Sequence, residues 1–189
     1  MNEQTNLRQL PADLPRPDDD GGARHLQGMR LPSVQLPATS GNPVDMAALP
    51  RRTIIYAYPM TGVPGVPLPP DWEAIPGARG CTVEALAFKD HRTEMAELGA
   101  DVYGLSTQDT AYQQEMADRL HLPFAVLSDV GLVLTRAMRL PTMEVNGTTL
   151  LKRLTMVVNG GVIEQVFYPV FPPDAAAATV LDWLRHRGT

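Results

Sequence analysis

Apolar positions along the chain fall into short strand-like runs separated by longer helix-like segments. The run RTIIYAYP, residues 52–59, is β-branched and aromatic and ends at a proline, as is typical of a buried strand. Residues 82–98 are rich in helix formers, with apolar side chains among charges, and Gly99 follows as a C-terminal cap. The sequence therefore predicts a strand, a loop and a helix in that order.

The alternation continues through the middle of the chain. The run DVYGLS, residues 101–106, predicts a second strand, and Asp109 is a suitable N-cap for a helix that runs to about Leu120. The run PFAVLSD, residues 123–129, predicts a third strand. Strands that alternate with helices in this way form a largely parallel sheet covered by helices.

The last third of the chain has a different pattern. Two β-rich runs flank Asn159-Gly160-Gly161, which is a strong signal for a tight antiparallel hairpin. An amphipathic helix follows over residues 174–187. Parallel units followed by a hairpin and a closing helix predict an α/β, thioredoxin-like fold with a central mixed sheet flanked by helices.

Composition and charge narrow the class of protein. The chain has 189 residues, is 44% hydrophobic and carries a formal net charge of -5, so it provides no basic field for nucleic acid. It has no apolar stretch near the ~20 residues of a membrane helix, and its polar N-terminus has no apolar signal segment. We expect a cytoplasmic protein with no membrane partner.

The first 29 residues lack apolar periodicity and mix Pro, Asp, Gly and Gln. They predict a flexible or loosely docked extension that lies outside the core. Residues 30–189 then form one domain.

The only cysteine, Cys81, lies between a proline-rich loop and the first predicted helix. Unpaired N–H groups and the helix dipole at that position favour a thiolate, so we expect the pKa of Cys81 to fall below the ~8.5 of a free thiol. The alternative is a buried cysteine with only a packing role. The four histidines are scattered and give no ligand spacing, so we expect neither a metal nor another cofactor.

The segments GCTVEALAFKDHRTEMAELGADVYGLSTQD, LPFAVLSD and KRLTMVVNGGVIEQVF together resemble the peroxiredoxins of the alkyl hydroperoxide reductase and thiol-specific antioxidant superfamily. The resemblance is to the bacterioferritin-comigratory, or Q-type, branch, in its one-cysteine type. It implies a thioredoxin-like fold and thiol-dependent reduction of hydrogen peroxide and organic hydroperoxides. It also implies that Cys81 is the peroxidatic nucleophile.

The chain departs from the family motif P-x-x-x-T-x-x-C. Ala78 stands where the motif has its threonine, and Pro59, which matches the motif proline by its place after a strand, lies 22 residues before Cys81. Residues 62–78 are thus a proline-rich insertion. Thr61 is the nearest hydroxyl that could fold back toward the sulfur, the alternative being an ordinary loop hydroxyl, and Trp72 could cover the site or fill a subunit interface.

The family arginine, which stabilises the thiolate and the peroxide, matches Arg153, with Lys152 as the alternative. Leu86 occupies the position where many Q-type relatives carry a resolving cysteine. The resemblance therefore implies an external thiol reductant: a thioredoxin-like or glutaredoxin-like protein, a low-molecular-weight thiol, or Cys81 of another subunit. It adds a homodimer as a candidate assembly. The alternative function is a redox-sensing or binding module in which Cys81 is oxidised without efficient turnover.

Overall fold

A computed structural model describes residues 8–187 of the chain as nine strands, four α-helices and three short 3-10 turns. The strands are β1 (Gln35–Leu36), β2 (Val44–Asp45), β3 (Arg52–Ala57), β4 (Ala100–Ser106), β5 (Val126–Ser128), β6 (Thr142–Val145), β7 (Thr148–Leu151), β8 (Leu154–Asn159) and β9 (Val162–Phe167). The α-helices are α1 (Cys81–Glu97), α2 (Thr110–Leu120), α3 (Val133–Met138) and α4 (Ala176–Arg187). The 3-10 turns are Met46–Ala48, Trp72–Ala74 and Pro173–Ala175.

Five strands form the central sheet in the order β5-β4-β3-β8-β9. Strands β3, β4 and β5 are parallel, whereas β8 and β9 pair antiparallel. Ile55 at the centre pairs with Tyr103 on one side and Met156 on the other. The predicted fold class, a mixed thioredoxin-like sheet flanked by helices, is confirmed.

Successive side chains of β3 point to opposite faces of the sheet, and each face has its own part of the hydrophobic core. Ile54 and Tyr56 pack on one face with residues of α1 and α4, while Ile55 and Ala57 point to the other face. All four are completely buried. The end of β3 and the start of α1 are thereby fixed close to the centre of the molecule.

The N-terminal segment contributes to this core. Leu26 is fully buried and Ala23 nearly so, and the amides of Gly28 and Leu31 donate to the carbonyls of Ile163 and Gly161, each at 2.8 Å. The prediction that this segment lies outside the core is wrong for its second half. Two aliphatic side chains three residues apart are enough to anchor it, although their polar neighbours hide the pattern in the sequence.

Helix α3 and the β6–β7 hairpin are two elements that the sequence pattern did not predict. These elements are only six and four residues long, which is too short for apolar periodicity to show. The hairpin turns at Asn146 and Gly147, both with positive φ. Within residues 8–187, no helix has the length and apolar character needed to span a membrane.

Candidate active site around Cys81

Cys81 is the first residue of α1 and is 3% exposed. Gly80 precedes it with φ 106°, a left-handed conformation that suits glycine. A Cβ at this position would also clash with Pro173. The tight turn at Gly80 therefore places the sulfur at the N-terminus of the helix, where backbone N–H groups have no intrahelical partner.

Arg153 lies directly before β8 and reaches the sulfur. Its Nη2, which has two N–H groups to donate, is 3.2 Å from Cys81 Sγ and 3.1 to 3.3 Å from the carbonyl oxygens of Gly77, Ala78 and Arg79. The guanidinium is 2% exposed. The structure thus brings Arg153 and Cys81 together, whereas Lys152 points away and pairs with Asp20 at 2.6 Å.

Glu84, which the sequence analysis did not identify, completes a buried ionic group. Its side chain is fully buried and Oε2 forms an ion pair with Arg153 Nη1. Glu84 lies three residues after Cys81, so both side chains project from the first turn of α1 toward one cation. A charged residue between buried positions Val83 and Ala85 was the signal that could have revealed it.

The pKa of Cys81 differs from the expectation drawn from the sequence. Burial raises the pKa of the thiol above its ordinary value, and Glu84 adds to this, although Arg153 and a hydrogen bond from the Met60 backbone amide lower it. The loss of hydration, which raises the pKa of the thiol, is therefore larger than the opposing effects of the helix N-terminus and the Arg153 cation. In this state the thiol donates to the Ala78 carbonyl at 3.4 Å.

Burial also acts on the two partners. It raises the pKa of Glu84 to about 7, despite the opposing effect of Arg153. For Arg153 burial disfavours the charge, yet Cys81 and Glu84 together raise the pKa of the guanidinium, which remains protonated. One permanent cation is therefore shared by two groups that can each become anionic.

Two tyrosines form the wall of the site behind this group. Tyr56 and Tyr58 are fully buried, and Tyr56 stacks on Phe88 with 4.4 Å between ring centroids. Burial raises the pKa of both phenols, and the charges of Cys81 and Glu84 raise it further. Among the described residues, neither the hydroxyl of Tyr56 nor Glu84 Oε1 has a hydrogen-bond partner.

The loop after β3 folds back toward Cys81, but the hydroxyl of Thr61 in this loop does not donate to the sulfur. Pro59 is buried, and Met60, the next residue, donates its backbone amide to Cys81. Thr61 is 2% exposed, and its hydroxyl donates to Gln108 Oε1 at 3.3 Å. The contact made by the lengthened loop is thus a backbone amide, which no side-chain pattern could reveal.

The insertion is held against the β6–β7 hairpin. Trp72 is 4% exposed and packs in a small apolar cluster with Ala78, Val145 and Leu150. Arg79 forms an ion pair with Glu73, so the end of the insertion is bonded to its middle. Trp72 therefore anchors the insertion within its own chain, rather than filling a subunit interface.

A cavity of about 300 Å³ lies beside Arg153. Its walls come from the end of the insertion, the β6 strand, the segment after β9 and the N-terminal segment. The apolar part of the lining includes Ile75, Pro76 and Met143. Its polar rim consists of Asp20, Lys152 and Tyr168. Asp20 accepts hydrogen bonds from Lys152 at 2.6 Å and from the hydroxyl of Tyr168 at 2.7 Å.

The described residues contain no group of three or more His, Cys, Asp or Glu side chains placed to hold a metal ion. Leu86, at the position of the resolving cysteine, is buried in the core beside α4. The groups that contact one another at the site are Cys81, Arg153 and Glu84, with the Met60 amide.

A free cysteine at a helix N-terminus, bonded to a buried arginine on a mixed five-stranded sheet, defines a thioredoxin-fold thiol protein. Residues 26–181 match the model of the redoxin family. The chain belongs to the redoxin family, in agreement with the resemblance drawn from its motifs.

Individual relatives are similar at low identity. A chloroplastic peroxiredoxin Q of Oryza sativa subsp. japonica is 26% identical over 149 residues, which cover 78% of this chain and 61% of the rice protein. The chain thus spans about three fifths of that relative's length.

Among solved structures, the peroxidoxin BcpB of Mycobacterium tuberculosis has a TM-score of 0.68 at 24% identity, covering 85% of this chain and 96% of its own. The bacterioferritin comigratory protein of Xanthomonas campestris, described with alkyl peroxide reduction activity, has a TM-score of 0.66 at 22% identity. It covers 85% of this chain and 98% of its own. These structures have the same fold as this chain.

Proposed function

We propose that this protein is a thiol-dependent peroxidase that reduces hydrogen peroxide and organic hydroperoxides through Cys81 alone. The observation that carries the proposal is the 3.2 Å contact between Arg153 Nη2 and the Cys81 sulfur at the start of α1. Membership of the redoxin family and similarity to peroxiredoxin Q proteins support it.

The first chemical step oxidises Cys81. Its thiolate attacks the terminal peroxide oxygen, the S–O bond forms as the O–O bond breaks, and the leaving oxygen takes a proton to become water or an alcohol. Cys81 becomes a sulfenic acid. Arg153 holds the thiolate and donates to the oxygen on which charge develops, with its fork fixed by the carbonyls of residues 77–79.

The loop supplies the rest of the peroxide site. Pro59 shields the sulfur from water, and the Met60 amide donates to the thiolate. The hydroxyl proton of Thr61 is directed to Gln108, so its oxygen is free to accept the O–H of a hydroperoxide. The cavity beside Arg153 is the space that we assign to the apolar part of an organic hydroperoxide.

Two further features belong to this proposal. An external thiol reduces the sulfenic acid: two thiol equivalents become a disulfide, and Cys81 thiol and water are released. The reductant is a low-molecular-weight thiol or a thioredoxin-like or glutaredoxin-like protein, and the assembly is a homodimer. The compartment is the cytoplasm, where a lone free cysteine stays reduced.

The test is peroxide consumption with excess dithiothreitol. The parent protein should consume many equivalents of hydrogen peroxide per chain, and Cys81→Ser should consume none. Consumption of a single equivalent by the parent would reject the enzyme and favour a redox sensor.

A further inference from the structure

Three side chains from the β4–α2 unit hydrogen-bond to the chain where the insertion begins. Gln108, Tyr112 and Arg119 contact the consecutive backbone positions Thr61, Gly62 and Val63, which we call the root of the insertion. The carboxamide of Gln108 bonds to Thr61, Arg119 Nη2 donates to the carbonyl of Gly62 at 3.2 Å, and the backbone of Val63 hydrogen-bonds to the hydroxyl of Tyr112.

The strongest of these contacts is made by Gln108, because its carboxamide bonds in both directions. Gln108 Oε1 accepts from the amide of Thr61 at 3.0 Å and from its hydroxyl at 3.3 Å, while Nε2 donates to the Thr61 carbonyl at 3.2 Å. Each polar atom of Thr61, which is 2% exposed, thus makes a hydrogen bond to the same side chain.

Gln108 is itself held rigidly. Its backbone amide donates to Ser106 Oγ at 3.2 Å, and its carbonyl accepts from Ser128 Oγ at 2.7 Å. Ser106 in turn accepts from Gln113, which also donates to the Leu127 carbonyl at 2.8 Å. Gln108 is therefore fixed to the carboxyl ends of both β4 and β5.

This support matters because Met60 immediately precedes the root and donates its amide to Cys81. Beyond the root the insertion is mostly exposed, and Val66 and Leu68 are 56% and 40% exposed. A segment of this length would otherwise give the backbone at Met60 many orientations. Fixing Thr61 from the opposite side restricts the Met60 amide to the direction of the sulfur.

We propose that Gln108 is a positioning residue for the chemistry of Cys81: by clamping Thr61 it aligns the Met60 amide with the sulfur, replacing the constraint that a short motif loop would provide. The inference rests on the proposed peroxidase function, but its structural part does not require turnover. Gln108 contacts neither Cys81 nor Arg153 in the described hydrogen bonds. It acts through the loop.

The experiment compares Gln108→Leu, which removes every bond of the carboxamide at similar size, with Gln114→Leu as a matched control. Gln114 lies on α2, the helix that begins two residues after Gln108, and its carboxamide donates to Asp118 near the surface, away from the loop. Gln108→Glu keeps the acceptor for Thr61, loses the donor and adds a negative charge. The groups that face the sulfur, namely Arg153, Glu84, Tyr56 and Tyr58, are unchanged in all three variants.

Two readouts are needed: the pH midpoint of Cys81 alkylation by iodoacetamide, and the single-turnover rate of sulfenic acid formation with hydrogen peroxide at equal thiolate fraction. For Gln108→Leu we expect a higher midpoint, because the aligned Met60 amide stabilises the thiolate, and a rate about tenfold lower, on the order of 1.4 kcal/mol. Gln108→Glu should retain more of the rate, and Gln114→Leu should match the parent.

A Gln108→Leu protein with the midpoint and rate of Gln114→Leu would overturn the proposal. So would a lower melting temperature with both readouts unchanged, because that result would make Gln108 only structural. If Gln108→Leu does not fold, Gln108→Glu is judged by the same criteria against the parent. If the parent shows no peroxide turnover, the proposed function fails, while the alkylation midpoint still tests the alignment.

Discussion

Arg153 Nη2 lies 3.2 Å from the sulfur of Cys81, although the two residues are 72 positions apart in the chain. The same guanidinium forms an ion pair with Glu84, and all three groups are almost completely buried. Two acidic groups therefore compete for one buried cation. This competition acts on the pKa of the thiol together with the larger effect of burial, and several predictions depend on it.

Replacing Arg153 with lysine should slow the oxidation of Cys81. Arg153→Lys keeps the charge but loses the planar fork that holds the sulfur and the carbonyls of Gly77, Ala78 and Arg79. We expect sulfenic acid formation at least ~10-fold slower at equal thiolate fraction, or about 1.4 kcal/mol of transition-state stabilisation. Rapid mixing with hydrogen peroxide measures this rate. Lys152→Arg is the neighbouring control, and a parental rate in Arg153→Lys would make Arg153 purely structural.

Alkylation of Cys81 should show a midpoint above the ~8.5 of an unperturbed thiol, because burial raises its pKa. Reaction with iodoacetamide across a pH series measures the midpoint. Glu84→Gln should lower it, because the negative charge of Glu84 raises the pKa of the thiol. A parental midpoint below that of a free thiol, or an upward shift in Glu84→Gln, would contradict this assignment.

The stability of the folded protein should depend on Glu84 between about pH 4.5 and 7. Its pKa rises from 4.5 to about 7 on folding, so the folded state binds more protons in this window and stability falls as the pH rises through it. Between pH 5 and 8, the parent should lose roughly 2 kcal/mol more than Glu84→Gln in free energy of unfolding. Urea unfolding at both pH values tests this, and parallel pH dependences of the two proteins would refute it.

Leu26→Ala should destabilise the protein by about 2 to 5 kcal/mol, because the side chain is fully buried in the core and its removal leaves a cavity. Val66→Ala, at a position 56% exposed, is the matched control and should change stability by no more than about 0.5 kcal/mol. Chemical denaturation gives both values. Equal, small effects would show that the N-terminal segment is not part of the cooperative core.

Met143→Trp should discriminate between small and bulky peroxides. Met143 lines the cavity beside Arg153, and a tryptophan there would fill much of its 300 Å³. We expect the rate with cumene hydroperoxide to fall about tenfold or more, and the rate with hydrogen peroxide to stay within about twofold. Single-turnover kinetics with both peroxides would show this, with Val66→Trp on the exposed part of the insertion as the control. A parallel change for both peroxides would exclude the cavity as the organic subsite.

The order of the main strands and helices, and the candidate nucleophile, can be predicted from the amino-acid sequence alone. Hydrophobic runs such as residues 52–57 and 101–106 predict strands because each depends only on residues that are neighbours in the chain. The same holds for the helix N-cap at Asp109 and for the hairpin turn at Asn159-Gly160-Gly161. The resemblance to a known family added Arg153, because that family has an arginine that stabilises the thiolate and the peroxide.

The assembly of the site and the protonation of its groups depend on contacts that form only when the chain folds. The contact of Arg153 with Glu84, the amide of Met60 on Cys81 and the clamp of Gln108 on Thr61 join residues that are far apart in the chain or act through backbone atoms. The direction in which the pKa of Cys81 shifts likewise depends on how much water the folded chain excludes from the thiol. Helix position alone predicts an acidic thiol, whereas burial, which is a property of the whole fold, reverses that direction.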